Sequence, residues 1–159
     1  MERKVIFCVG VPASGKSTWS KEFVKKNNNF VRVCRDDYRY MFKDVGWFND
    51  DIRNKLENII TINVESDIQR LLFSDFDVII DETNLDKKRL VKMMDSLVNL
   101  SGVESLNIKF KIFDVDKEEL LKRDSERERS VGVKVIDKMY DNFSKLIKDF
   151  NFEKYGEII

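Results

Sequence analysis

Near the N-terminus, Gly10-Val11-Pro12-Ala13-Ser14-Gly15-Lys16-Ser17 follows the spacing G-x-x-x-x-G-K-S. Residues of these types at this spacing can hold phosphate. Glycine lets the backbone approach a nucleotide closely. Successive N–H groups turn inward, and the start of a helix adds positive potential. In such a loop Lys16 reaches the β- and γ-phosphates and the Ser17 hydroxyl holds Mg²⁺. The loop follows an apolar run of strand length, Val5-Ile6-Phe7-Cys8-Val9, and leads into a helical stretch from about Lys16. Strand, glycine loop and helix are the context the pattern requires. ATP and Mg²⁺ are the expected ligands, with Gly10 to Thr18 as the nucleotide-binding segment. The alternative is a glycine turn carrying a solvated lysine.

Three more polar groups stand where chemistry is expected. In Arg35-Asp36-Asp37-Tyr38-Arg39 one carboxylate suits the task of orienting an acceptor hydroxyl and taking its proton late in phosphoryl transfer. Capping of the following helix is an equal alternative, and the pair can divide the two tasks. Asp81 closes the apolar run Val78-Ile79-Ile80, the position from which an aspartate joins the Mg²⁺ shell; Glu82 is expected to point the other way. Thr83 and Asn84 either hydrogen-bond the loop or a substrate, or cap the next helix. The segment from Lys122 to Arg129 carries four cations. An arginine there can neutralise charge developing on a migrating phosphoryl group, with Ser130 to Val133 as the hinge of a lid. Alternating charges also describe a solvated helix face. Trp19 reads as packing. Trp47 and Phe48 read as a hydrophobic helix entry or a base-stacking wall.

The elements that position these groups alternate. Strands are expected at Val5–Val9, Phe30–Cys34, Val78–Ile80 and Ile108–Val115. Helices are expected over Lys16–Lys26, as one turn at Tyr38–Phe42, over Asp50–Phe73 and Asp86–Leu100, from Asp116, and over Ile136–Phe150. Within the long helix, Ile52, Leu56, Ile59, Ile60, Val64, Ile68, Leu71 and Leu72 recur at helical spacing. This order predicts an α/β fold, a central parallel sheet flanked by helices. Ligands of such sheets lie at the carboxyl ends of the strands, where all the groups named above fall.

The chain has 159 residues, which fits one domain over residues 1–159. Lys+Arg and Asp+Glu balance at 29 each. A polyanion is therefore recognised locally, at a cleft, and not by a basic field. With no histidine, His-based triads and His-ligated metals are excluded, and a general base must be another group. No apolar run spans a bilayer, and the two cysteines, Cys8 and Cys34, sit in apolar patterns suited to reduced thiols. The expected compartment is the cytoplasm.

Gly10–Trp19, Arg35–Arg39, Thr83-Asn84-Leu85, Phe113-Asp114-Val115, Arg123–Arg127 and Met139-Tyr140 form an ordered series. Together they resemble the kinase domain of the bacteriophage polynucleotide kinase–phosphatase family, over about Lys4 to Leu146. The resemblance implies a P-loop kinase with an arginine-rich lid. Its reaction would move the γ-phosphate of ATP to the 5′-hydroxyl of DNA or RNA. It implies Lys16 and Ser17 as phosphate and Mg²⁺ ligands, Asp36 as general base, and Arg39 on the phosphate beyond the terminal nucleoside. Arg123 and Arg127 would hold the ATP phosphates, and Arg35, Thr83 and Asn84 would complete the acceptor side. Where the family has an aspartate before its Thr-Asn pair, this chain has Glu82. Asp81 is favoured as the metal-side carboxylate, and Arg127 over Arg129 as the lid arginine. No D-x-D-x-T motif occurs, so 3′-phosphatase activity is not expected. The rival functions are a small-molecule or nucleoside kinase on the same scaffold, and a nucleotide-binding module that transfers nothing.

Overall fold

A computed structural model describes residues 2–45, 50–100, 103 and 105–159. The elements run β1 (Glu2–Val9), α1 (Lys16–Lys26), β2 (Phe30–Val33), α2 (Arg35–Met41), α3 (Asp50–Phe73) and β3 (Asp77–Ile80). Then come α4 (Lys87–Val98), β4 (Ser105–Ile112), α5 (Lys117–Ser125) and α6 (Val133–Asp149), a 3₁₀ turn (Phe152–Lys154) and β5 (Glu157–Ile158). The strands form one five-stranded sheet in the order β2-β3-β1-β4-β5, parallel at every pairing. The fold is α/β, a parallel sheet flanked by helices.

β1 lies in the middle, and its residues Val5 to Val9 are at most 1% exposed. Its side chains alternate between two cores. Ile6 and Cys8, with Ile79 of β3, pack against Trp19, Phe23 and Val24 of α1. Val5, Phe7 and Val9 enter the larger core with residues of α3, α4 and α6. α3 presents one stripe, Leu56, Ile60, Val64, Ile68 and Leu72, repeating every four residues. Full burial of each large apolar side chain stabilises the fold by about 1.5–3 kcal/mol. Trp19 packs on Phe23 and Phe113. Among the described residues no helix is long and apolar enough to cross a membrane.

Several boundaries differ from expectation. β1 starts at Glu2 and β4 at Ser105, each three residues early, and α6 starts at Val133 and not at Ile136. α2 begins at Arg35 and not at Tyr38. Cys34 stands at its N-cap position with no side-chain bond, so neither Asp36 nor Asp37 is the cap; both lie in the first turn, where carboxylates favour the helix dipole. β3 starts one residue early because Asp77 pairs with Phe30 and its Oδ1 accepts from the Lys4 N–H at 2.8 Å. β4 stops at Ile112, opposite Val9, since its partner β1 ends there. The 3₁₀ turn and β5 are additional elements, and β5 pairs only with β4. The expectations for Gly46, Trp47, Phe48, Ser101 and Gly102 lie outside the described residues.

Candidate active site

The phosphate loop is shaped before any ligand arrives. Gly15 has φ 96° and starts α1, and Ala13 shares the left-handed region with φ 67°. At Gly10 a Cβ would lie 2.9 Å from Ser14 Oγ and 3.0 Å from Phe113 Cβ, closer than side chains tolerate. The loop is tied to β3's exit by Gly10 N–H donating to the Thr83 carbonyl at 3.0 Å. Lys16 is 8% exposed. Its Nζ arches back to donate to the Val11 carbonyl at 2.7 Å and Ser14 Oγ at 3.3 Å. Burial pushes its ammonium down to about 8, against the pull of Asp81.

A cleft of about 630 Å³ opens at this loop. Most of the sequence-predicted residues line it: Pro12, Ala13, Gly15, Lys16, Ser17 and Thr18 from the loop, and Arg35, Asp36 and Arg39 from α2. Asp81, Thr83, Arg123 and Arg127 line it too. Gly10, Val11, Ser14 and Asn84 are not on its wall. The first three build the loop from behind through the contacts above. The Asn84 amide is spent on backbone, donating to the Cys8 carbonyl at 2.7 Å and tying β1's end to β3's. Glu82 also lines the cleft, against the expectation that it turns away. β3 ends at Ile80, so strand alternation no longer governs residue 82.

Carboxylates and arginines around the cleft pair into two clusters, one on Asp81 and one on Glu57. Asp81 Oδ2 accepts from Arg32 Nε at 2.7 Å and Ser20 Oγ at 3.0 Å. Arg32 Nη1 continues to Asp37 at 2.7 Å, so Asp37 is a strut and Asp36 is the cleft carboxylate. In the second cluster Glu57 of α3 clasps both arginines of α2. Arg39 Nε donates to Oε1 at 2.6 Å, and Arg35 Nη2 donates to Oε2 at 2.9 Å. Burial works to raise the Glu57 pKa, but Arg39 and Arg35 outweigh it and hold the carboxyl below its usual range. Arg39 Nη1 also donates to Asp36 Oδ1 at 2.6 Å. Tyr38 anchors α2 on α3 by donating to Asp67 at 2.7 Å.

Across the cleft, Asp124 organises the turn after α5. Its carboxylate accepts from Ser130 Oγ at 2.7 Å, from Gly132 N–H at 3.0 Å and from Val131 N–H. Burial pushes the Asp124 pKa up; the Ser130, Gly132 and Val131 bonds with Arg127 push it further down, leaving it lowered. The turn presents Arg127 to the cleft, while Arg129 sits over the Tyr40 ring, 5.5 Å from its centroid. Arg123 lines the cleft from α5, steadied by Glu119 at 2.7 Å.

Sequence reasoning passed over Arg32, Glu57 and Asp124. Each reads locally as one more charge on a polar face. Only the Glu57–Thr61 spacing beside the buried stripe of α3 offered a hint. Cys8 and Cys34 are free, buried thiols, and burial raises Cys34 to about 11.

Three buried side-chain polar atoms among the described residues lack a hydrogen-bond partner: Arg35 Nη1, Asp81 Oδ1 and Glu82 Oε1. All three belong to cleft residues. Orphaned polar atoms are costly in a fold and mark groups kept for a ligand. Asp81 Oδ1, with the Ser17 hydroxyl in the same cleft, fits Mg²⁺, which takes one or two protein oxygens beside substrate phosphates.

Residues 5–146 match a protein family described as AAA domain. Two solved structures of Pnkp1/Rnl/Hen1 assemblies contain similar chains. One, of the Pnkp1/Rnl/Hen1 RNA repair complex, is 32% identical over 94% of this chain, with a TM-score of 0.80. The other is 34% identical over 83%, with a TM-score of 0.64. This chain spans less than half the length of either, 47% and 42%. A deoxyadenosine kinase from M. mycoides with bound dATP shares the fold, at 16% identity and a TM-score of 0.58, over 98% of this chain and 89% of its own. The fold is thus that of P-loop kinases, which bind nucleotides.

Proposed function

The chain belongs to the AAA domain family, and we propose that residues 1–159 form an ATP-dependent polynucleotide 5′-hydroxyl kinase domain acting in the cytoplasm on DNA or RNA ends. The observation that carries the reading is that Lys16 and Asp36 line one cleft. The phosphate loop and a carboxylate exposed to an incoming hydroxyl thus face a common space. The likeness to chains of an RNA repair complex supports a nucleic-acid acceptor.

When bound, ATP supplies the phosphoryl group, and Mg²⁺, held by Ser17 and Asp81, offsets phosphate charge. Lys16 leaves the Val11 carbonyl and turns to the phosphates. Asp36, steered by Arg39, receives the acceptor hydroxyl and takes its proton as the new oxygen–phosphorus bond forms and the γ-phosphorus parts from the β–γ bridging oxygen, which leaves as part of ADP. Arg39 and the orphaned Nη1 of Arg35 hold the acceptor's next phosphate. Arg123 and Arg127 close from the lid side and stabilise the equatorial oxygens of the migrating group. Thr83 borders both ligands.

The test is transfer from labelled ATP. A 5′-hydroxyl oligonucleotide is compared with a panel of nucleosides, sugars and antibiotics. Label on the oligonucleotide 5′ end is the expected result. Label on a panel member alone gives a small-molecule kinase, and ATP binding without transfer gives a nucleotide-binding module.

A further inference from the structure

Beside the cleft lies a second cavity of about 430 Å³, between α3 and α4. Thr61 and Glu65 form one wall, and Lys88, Arg89 and Lys92 stand on the other. The two cavities are joined twice. Arg89 lines both, and Thr61 of the groove accepts from Arg35 of the cleft at 2.6 Å.

Many helical cations of this chain are paired on their own helix. Lys25, Arg53, Arg70 and Arg123 are each matched by a carboxylate three or four residues away on their own helix. Lys88 and Lys92 are exposed, and among the described residues they make no ion pair. They stand one helical turn apart, about 6 Å along the axis, with Arg89 beside them. Arg89 is held toward the cleft by Glu82 at 2.9 Å. Lys21 and Lys26 of α1 also make no ion pair among the described residues; what sets Lys88 and Lys92 apart is their place on the wall of a cavity that shares Arg89 with the cleft. On its wall Lys88, Arg89 and Lys92 outnumber the carboxylates Glu65 and Asp86, and cations along a groove suit the backbone of a flexible polyanion.

We propose that the α3–α4 groove is the track of the acceptor strand. Nucleotides beyond the 5′ end leave the cleft past Arg89 and lay their phosphates against Lys88 and Lys92. This rests on the polynucleotide reading of the cleft.

Acceptor length separates the two ideas. The parent and the K88E/K92E variant are assayed with a nucleoside 3′-monophosphate and with a 5′-hydroxyl oligonucleotide of about twelve nucleotides. The variant raises KM for the oligonucleotide about tenfold and flattens its log–log salt dependence by about 1.4, the share of two phosphate contacts to a single strand. KM for the mononucleotide, KM for ATP and kcat stay within about twofold. Reversal of two remote charges on α1, K21E/K26E, leaves both acceptors unaffected. An unchanged oligonucleotide KM, an equal rise for both acceptors, or the same rise in K21E/K26E overturns the track and leaves the cleft reading standing. A parent that phosphorylates neither acceptor overturns both.

Discussion

The donor side of the cleft comes from one short stretch, Pro12–Thr18, while the acceptor side is gathered from α2, α3 and the chain after β3. The first is built mainly of backbone, with left-handed residues at Ala13 and Gly15 aiming the loop. The second is built of side chains that hold one another: Glu57 with Arg35 and Arg39, Arg39 with Asp36, Arg32 with Asp81 and Asp37. A backbone cradle tolerates exchange of most of its side chains. An ion-pair network does not, because removing one member strands the others. The half held by ion pairs is therefore the more fragile one.

Four measurements break or sharpen this contrast. Asp36→Asn lowers kcat by about a thousandfold, within the range for a lost general base, and leaves ATP affinity unchanged by calorimetry. Parent-like turnover places the base elsewhere. Arg127→Ala lowers kcat about a hundredfold, as for a lost donor to developing charge, whereas Arg129→Ala changes it by no more than about threefold. The reverse order would show that the cation on Tyr40, and not the one in the cleft, serves the phosphates.

Glu57→Gln acts on the acceptor side alone. It raises oligonucleotide KM about thirtyfold and destabilises the fold by about 2 kcal/mol, less than for a fully buried pair. The melting temperature falls by about 4–8 °C. A matching loss of ATP affinity would mean that the two halves are one unit. The smallest effect is on the donor side and depends on pH. Lys16, lowered from 10.5 to about 8 in the free protein, is charged below that pH and neutral above it. Phosphates bind the charged form, so ATP affinity is full below pH 8 and about tenfold weaker at pH 9. Calorimetry in two buffers of different ionisation heat reads the proton taken up. The same shift makes the ligand-free protein gain stability between pH 8 and 10.5 as the burial penalty on the ammonium disappears.

The two halves were not equally legible in the sequence. α1 and α3 have the expected ends, because a glycine loop fixes one start and four-residue apolar spacing runs the length of the other. Lys16, Ser17 and Asp81 follow from local order, a strand leading into a turn. Glu57 reaches Arg39 from 18 positions away and Arg32 reaches Asp81 from 49; no local pattern announces such partners. For the aspartates of α2, capping is an equal alternative to catalysis in the sequence because capping chemistry favours them, but the helix starts before them. Asn84, placed on the substrate by its motif, has its amide on the Cys8 carbonyl. The two-residue β5 exists only through its pairing with β4, which sequence periodicity does not register.

The central position of β1 has a consequence for how the molecule opens. Its amides are paired along both edges, to β3 and to β4, so they exchange hydrogen for deuterium only when the whole sheet comes apart. α2 is a seven-residue helix with Asp36, Asp37, Tyr40 and Met41 facing water, and its amides exchange through small local openings. Under mild denaturant α2 and its ion pairs are released first, while the loop fastened to the best-protected strand keeps its shape.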